Sequence, residues 1–488
     1  QIEQGMLRRT VTLVATLVLV SCSQTANTDT NTTSTREVSN QTEKLDFRVC
    51  GQELPGLECA YAVLDKDRST ADREDLTVRV GLLRSFSPDP AGAVFINPGG
   101  PGSSSVKFLS LASGSLADLR KTYDIYAVDP RGTGGTAPLN CDYDLSVLYG
   151  LDVTPDDDNE RAALLSEEAS YISRCKETGA GVIGHLTTAD SAADMRDVLD
   201  VLSLQTMNYI GFSYGSELGA VFATMFPDRV GRFVFDGASD FRKSPIESSL
   251  EQGRGFEEAL NGFITRCEAS NCLGLPAKAA LQEAVRVVEA GLVTYDKKVF
   301  NSGALYIGLA SMLYIPGSDP EIAEGLTEIT KGQANIIGDA FYSYLSRADD
   351  GSDDGSLDAF RAISTEDGVR LSVQDQETLL RKAQMELPFF WPVFSQPVVR
   401  EDPWPQTGAS NKIQPSLPSG RVLYVAATGD PATTYKDTIK LASDLGSETL
   451  TRNGSGHTSY FFSECVRKEV EKFLSKEAVT VRECGTDD

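Results

Sequence analysis

The chain has 488 residues, of which 41% are hydrophobic and 24% charged, and a formal net charge of −25. That length exceeds a single core, so one large domain with an insertion, or two domains, is expected. Such acidity repels phosphate backbones and excludes nucleic acid as a partner; solubility outside the cell and attraction of amine-bearing substrates both fit it.

Residues 1–22 read as a signal peptide, with Met6 as its expected start. Arg8 and Arg9 give a basic region, and the apolar run 11–20 falls short of the ~20 residues that span a bilayer. Leu19-Val20-Ser21-Cys22 resembles the lipobox of bacterial lipoproteins. The resemblance implies lipidation of Cys22 and an extracytoplasmic protein, lipid-anchored to the cell membrane or secreted. An ordinary signal peptide with an incidental cysteine is the alternative. Residues 23–46, rich in Ser, Thr, Asn and Gln, read as a flexible linker. Nine cysteines less Cys22 leave an even eight. An oxidising compartment favours pairing them, and chain proximity suggests Cys50–Cys59, Cys141–Cys175, Cys267–Cys272 and Cys465–Cys484 among many possible connectivities. With two histidines and no C-x-x-C, the chain offers little for zinc.

Apolar runs at 93–96, 125–128, 208–210, 232–235 and 422–426 read as buried parallel strands. Between them, Met195, Val198, Leu199 and Leu202 recur at helical spacing. Strands alternating with helices predict an α/β fold with a mostly parallel central sheet, and ligands beyond its carboxyl edge. Residues 47–240 and 411–488 are assigned to this core. Residues 241–410 read as an inserted helical cap, with helices over 251–266, 277–291 and 321–345. The acidic, Gly-rich stretch 348–356 reads as a solvated loop, because a calcium loop needs further ligands and a terminal Glu.

Gly211-Phe212-Ser213-Tyr214-Gly215 matches G-x-S-x-G between a predicted strand and a predicted helix, the setting of a nucleophile elbow. A serine hydroxyl needs a base, and only His185 and His457 are available. His457, in the glycine-rich Gly454-Ser455-Gly456-His457, is the expected base, on a loop able to swing the ring over the nucleophile. His185, beside a helix start at Thr187 and Thr188, reads as structural. Asp430, after the strand 422–426, is the expected orienting acid. Asp236 is its rival, and otherwise braces the turn Asp236-Gly237. For the oxyanion, the N–H of Tyr214 and donors at Gly99 and Gly100 in Asn97-Pro98-Gly99-Gly100-Pro101-Gly102 are expected. No cofactor is required.

On these motifs, with Asp129-Pro130-Arg131-Gly132, Phe235-Asp236-Gly237-Ala238 and Gly429-Asp430-Pro431-Ala432-Thr433, the chain resembles the bacterial tripeptidyl/prolyl aminopeptidase-like α/β hydrolases. The resemblance runs from about Cys50 to Cys484. It implies the α/β-hydrolase fold, a triad of Ser213, Asp430 and His457, a terminal cysteine pair matched by Cys465 and Cys484, and release of short peptides or a proline-type residue from free N-termini. The chain departs from the family's Thr-Pro at Ala432-Thr433-Thr434. It also lacks the late-cap cysteine, at Ala383-Gln384-Met385-Glu386. An aminopeptidase pairs the substrate ammonium with a carboxylate, and Glu386 is a candidate, an exposed glutamate being the plain alternative. The expected partner is a peptide with a free N-terminus, and a monomer is favoured. A carboxylesterase or lipase with the same triad is the alternative function, for which Phe389, Phe390, Trp391, Pro392 and Phe394 would line a groove. A non-catalytic binding protein is the third reading.

Overall fold

The computed structural model describes residues 45–71, 74–155, 157–179, 181–347, 353–369, 371–395 and 413–486. The signal segment, Cys22 and nearly all of the linker lie outside the described residues, as does most of 348–356.

Seven strands precede the cap: β1 (Arg48–Val49), β2 (Glu58–Asp65), β3 (Asp75–Leu83), β4 (Ala93–Asn97), β5 (Asp124–Val128), β6 (Met207–Phe212) and β7 (Val230–Asp236). A hairpin, β8 (Thr294–Tyr295) and β9 (Lys298–Val299), lies within it; β10 (Val422–Gly429), β11 (Glu448–Ser455) and β12 (Glu483–Cys484) follow. Ten of these form one sheet in the order β1-β2-β3-β5-β4-β6-β7-β10-β11-β12. The β1–β2, β2–β3 and β3–β5 pairs are antiparallel, and the rest of the sheet is parallel. Composition explains the division. β4, β6 and β10 are apolar on both faces, as strands covered by helices must be. In β2, Ala60, Ala62 and Leu64 are buried while Tyr61 and Val63 face solvent, the alternation of a one-sided antiparallel edge. The sequence reading found the central strands and passed over β2, β3 and the polar β11, although β2 carries the apolar run 59–64.

Between β7 and β10 the described residues are mostly helical, from Pro245–Ser270 to Trp391–Phe394. The predicted helix over 321–345 divides into Asp319–Ile329 and Asn335–Tyr344. Ser302–Leu313, apolar all round and almost wholly buried, forms the middle of the cap. Phe256, Leu260, Phe263, Leu305, Ile322 and Leu326 belong to an apolar cluster distinct from the two that cover the sheet.

Disulfides join Cys50 to Cys59, Cys141 to Cys175, Cys267 to Cys272 and Cys465 to Cys484. They are consistent with an oxidising, extracytoplasmic compartment. Among the described residues no helix is long and apolar enough to cross a membrane.

Candidate active site

β6 runs into Ser213, which adopts φ 54° and ψ −126° before the helix Tyr214–Met225 begins. Few non-glycine residues hold such a conformation, and it pushes the side chain out of the turn. Its neighbours must be glycine: a Cβ on Gly211 would lie 2.3 Å from the Gly215 carbonyl oxygen, and one on Gly215 2.6 Å from that of Asn97. The Ser213 N–H donates to the Asp236 carbonyl at 2.9 Å, tying the elbow to β7.

Asp430 follows β10. Its Oδ1 accepts the N–H groups of Ala432 and Thr433, both at 2.9 Å, and the Thr433 hydroxyl donates to Oδ2 at 3.1 Å. His457 Nδ1 lies 2.9 and 2.8 Å from the two carboxylate oxygens. The opposite ring nitrogen, Nε2, is buried and makes no hydrogen bond among the described residues, and His457 and Ser213 line one cavity. No hydrogen bond joins Ser213 to His457, and catalytic pairs often tighten only when a substrate is bound. Burial works against the imidazolium, but Asp430 outweighs it and Asp236 adds to it, so the His457 pKa is raised.

The loop carrying His457 is clamped rather than free to swing. The His457 N–H donates to the Tyr314 carbonyl of the cap at 2.9 Å. Arg452 Nη2 reaches the carbonyls of Ser455 and Thr458 at 2.8 and 3.1 Å. Asp236 Oδ2 accepts the N–H groups of Ser459 and Tyr460 at 2.9 and 2.7 Å. Asp236 therefore braces the histidine loop rather than merely its own turn. Burial pushes its carboxyl up to about 6, moderated by the Tyr460 and Ser459 amides and by Arg452.

One expected oxyanion donor is corrected. The Gly99 N–H is already spent on Asn97 Oδ1, at 2.9 Å. Gly99 serves instead by lacking a side chain, since a Cβ there would stand 2.4 Å from the Phe212 carbonyl oxygen. Gly100 and Tyr214 both line the cavity, and among the described residues no protein acceptor takes their N–H groups. Asp129 secures the loop from behind: its Oδ1 accepts from the Ser104 hydroxyl at 2.8 Å and the Val106 N–H at 3.0 Å. Arg131 is fully buried against Asp194, so Asp129-Pro130-Arg131-Gly132 is structural.

Glu386 is also corrected. It ends a helix, is exposed, pairs with Arg254 at 2.5 Å and does not line the Ser213 cavity. His185 lies outside the cavity too, its carbonyl accepting from Arg131 at 3.2 Å. Phe390 is core, whereas Phe394 reaches the cavity. The cavity measures about 800 Å³, within the usual range for small-ligand sites. The elbow and strand-end loops form its floor, and Phe256, Tyr314, Tyr344, Phe360 and Phe394 contribute to its roof. Two lining carboxylates, Glu217 and Asp367, escaped the sequence reading. Glu217 stands one helical turn beyond Ser213, a spacing that was available as a signal. Asp367 had none.

Residues 92–280 match the family model of the α/β hydrolase fold, and residues 389–484 that of TAP-like protein. The chain is 29% identical over 440 residues to serine protease Hip1 of Mycobacterium tuberculosis, covering 83% of this chain and 82% of that one. It is 25% identical over 463 residues to tripeptidyl aminopeptidase of Streptomyces lividans, covering 88% and 84%. It is 30% identical over 410 residues to carboxylesterase B of Mycobacterium tuberculosis, covering 78% and 77%. A serine at a strand-to-helix elbow, an imidazole seated on a carboxylate and these matches at both ends of the sequence lead to one conclusion: the chain belongs to the α/β-hydrolase family, in its TAP-like branch, and is a hydrolytic enzyme.

Proposed function

We propose that the protein is a secreted serine aminopeptidase releasing short peptides or a proline-type residue from free N-termini, with Ser213, His457 and Asp430 as its triad. One observation carries this reading: His457 is fixed on Asp430 through Nδ1, its Nε2 is unpartnered, and it lines one cavity with Ser213. Ser213 Oγ attacks the scissile carbonyl as Nε2 takes its proton. The N–H groups of Tyr214 and Gly100 receive the oxyanion. The imidazolium returns the proton to the leaving amine, and water, deprotonated by His457, cleaves the acyl-enzyme. The cap roofs the site and favours chain ends over internal segments. The similarity to proteins named serine protease and tripeptidyl aminopeptidase supports peptide bonds as the target. Lipidation at Cys22, a tethered extracytoplasmic location and a monomeric state complete the proposal.

A second reading, a carboxylesterase, is favoured by the aromatic roof and by the relative named carboxylesterase B. Turnover of a peptide amide with a free N-terminus is to be compared with that of its N-acetyl form. A strong preference for the free amine is expected; equal rates favour the esterase. Fluorophosphonate labelling should fall on Ser213, and folded protein that takes no label there ends both readings.

A further inference from the structure

We propose that Glu217 and Asp367 form the subsite that holds the substrate's α-ammonium group and so impose the need for a free N-terminus. The inference rests on the aminopeptidase reading and assigns its specificity to two residues. Both carboxylates line the cavity shared by Ser213 and His457. Glu217 lies in the first turn of the helix that Ser213 caps. Four residues at ~1.5 Å rise set it about 6 Å along the helix axis from the nucleophile, within the span of one or two extended residues at ~3.5 Å each.

The surroundings suit a cation. Glu217 makes no ion pair among the described residues, and its charged neighbours are Asp367 and Asp240. The Ser239 hydroxyl stands beside it. Asp367 is held in place by the Thr188 N–H at 3.0 Å and the Thr188 hydroxyl at 2.6 Å, and that hydroxyl also meets the Tyr214 hydroxyl. Burial and the nearby Asp367 push the Glu217 carboxyl up to about 8. At that value Glu217 is largely protonated near neutral pH in the empty site, and an ammonium seated beside it favours the carboxylate and completes an ion pair. The cavity's lysine, Lys243, is already engaged by Glu251 and Asp437. A separate observation marks this space as a ligand site: His457, which lines the same cavity, is 10% exposed, and its Nε2 has no hydrogen-bond partner.

The test measures kcat/KM for a free peptide amide and its N-acetyl form on the mature chain, with fluorophosphonate labelling to certify a folded site. Glu217→Gln should reduce the preference for the free amine at least tenfold, mainly through KM, and Asp367→Asn should do likewise. Glu217→Asp should restore part of the preference, and Glu386→Gln should leave it within twofold. The proposal is overturned if both variants label normally and keep the wild-type preference, or if rates on both substrates fall together. Absence of any preference in the wild-type protein is a different result, and strikes the aminopeptidase reading itself.

Discussion

The floor and the roof of the cavity are held together by different forces. On the floor, Ser213, Asp430 and the His457 loop are fixed by short hydrogen bonds from neighbouring backbone, with strand ends as anchors. Much of the roof, including Phe256, Tyr314 and Phe394, is held by side-chain packing in an apolar cluster separate from those on the sheet. Hydrogen bonds fix atoms in direction as well as distance, as proton transfer requires. Packing fixes a volume, which is what substrate selection requires. The two regions meet where the His457 N–H donates to the Tyr314 carbonyl, so the base is steadied by core and cap together.

The comparison breaks first if the floor's two buried carboxylates prove interchangeable. Asp430→Asn should lower kcat by about 10⁴-fold, the scale of losing the carboxylate that sets the imidazole tautomer. Asp236→Asn, which keeps one oxygen for the Ser459 and Tyr460 amides, should cost far less. Steady-state kinetics on both variants checks this, and the reverse order would exchange their roles. Disulfides sharpen the contrast in stability. Cys141–Cys175, in the core cluster, spans 34 residues, whereas Cys267–Cys272, in the cap, spans 5. Chain entropy predicts losses of about 4 and about 2 kcal/mol when each pair is replaced by alanines, measurable as shifts in denaturant midpoint. The smallest effect concerns pH. In the proposed mechanism only neutral His457 accepts the serine proton, and its pKa is raised. The acid limb of kcat/KM should therefore sit above the ordinary histidine value of about 6.5. Asp236→Asn removes a charge that favours the imidazolium and should move that limb down; a limb that stays put would show that Asp236 does not act on the ring.

How much was legible depended on whether a feature is local. The elbow was readable because strand, strained turn and helix are consecutive, and the scarcity of histidine left little choice of base. The cap's helical character showed in its composition, but the all-apolar Ser302–Leu313 carries no amphipathic signature and passed unnoticed. Glu386 was chosen by position in the chain, and packing turned it outward to Arg254. Gly99 and Gly100 looked equivalent as donors until the Asn97 side chain occupied one of them.

By itself the sequence determined the kind of chemistry, the parallel centre of the sheet and the neighbouring cysteine pairs, because these follow from residue type and short spacing. Tertiary structure alone decided which carboxylates line the Ser213 cavity, which loop amides stay free and how the histidine loop is clamped. Those outcomes depend on contacts between segments up to a few hundred residues apart, and chain spacing does not encode direction in space.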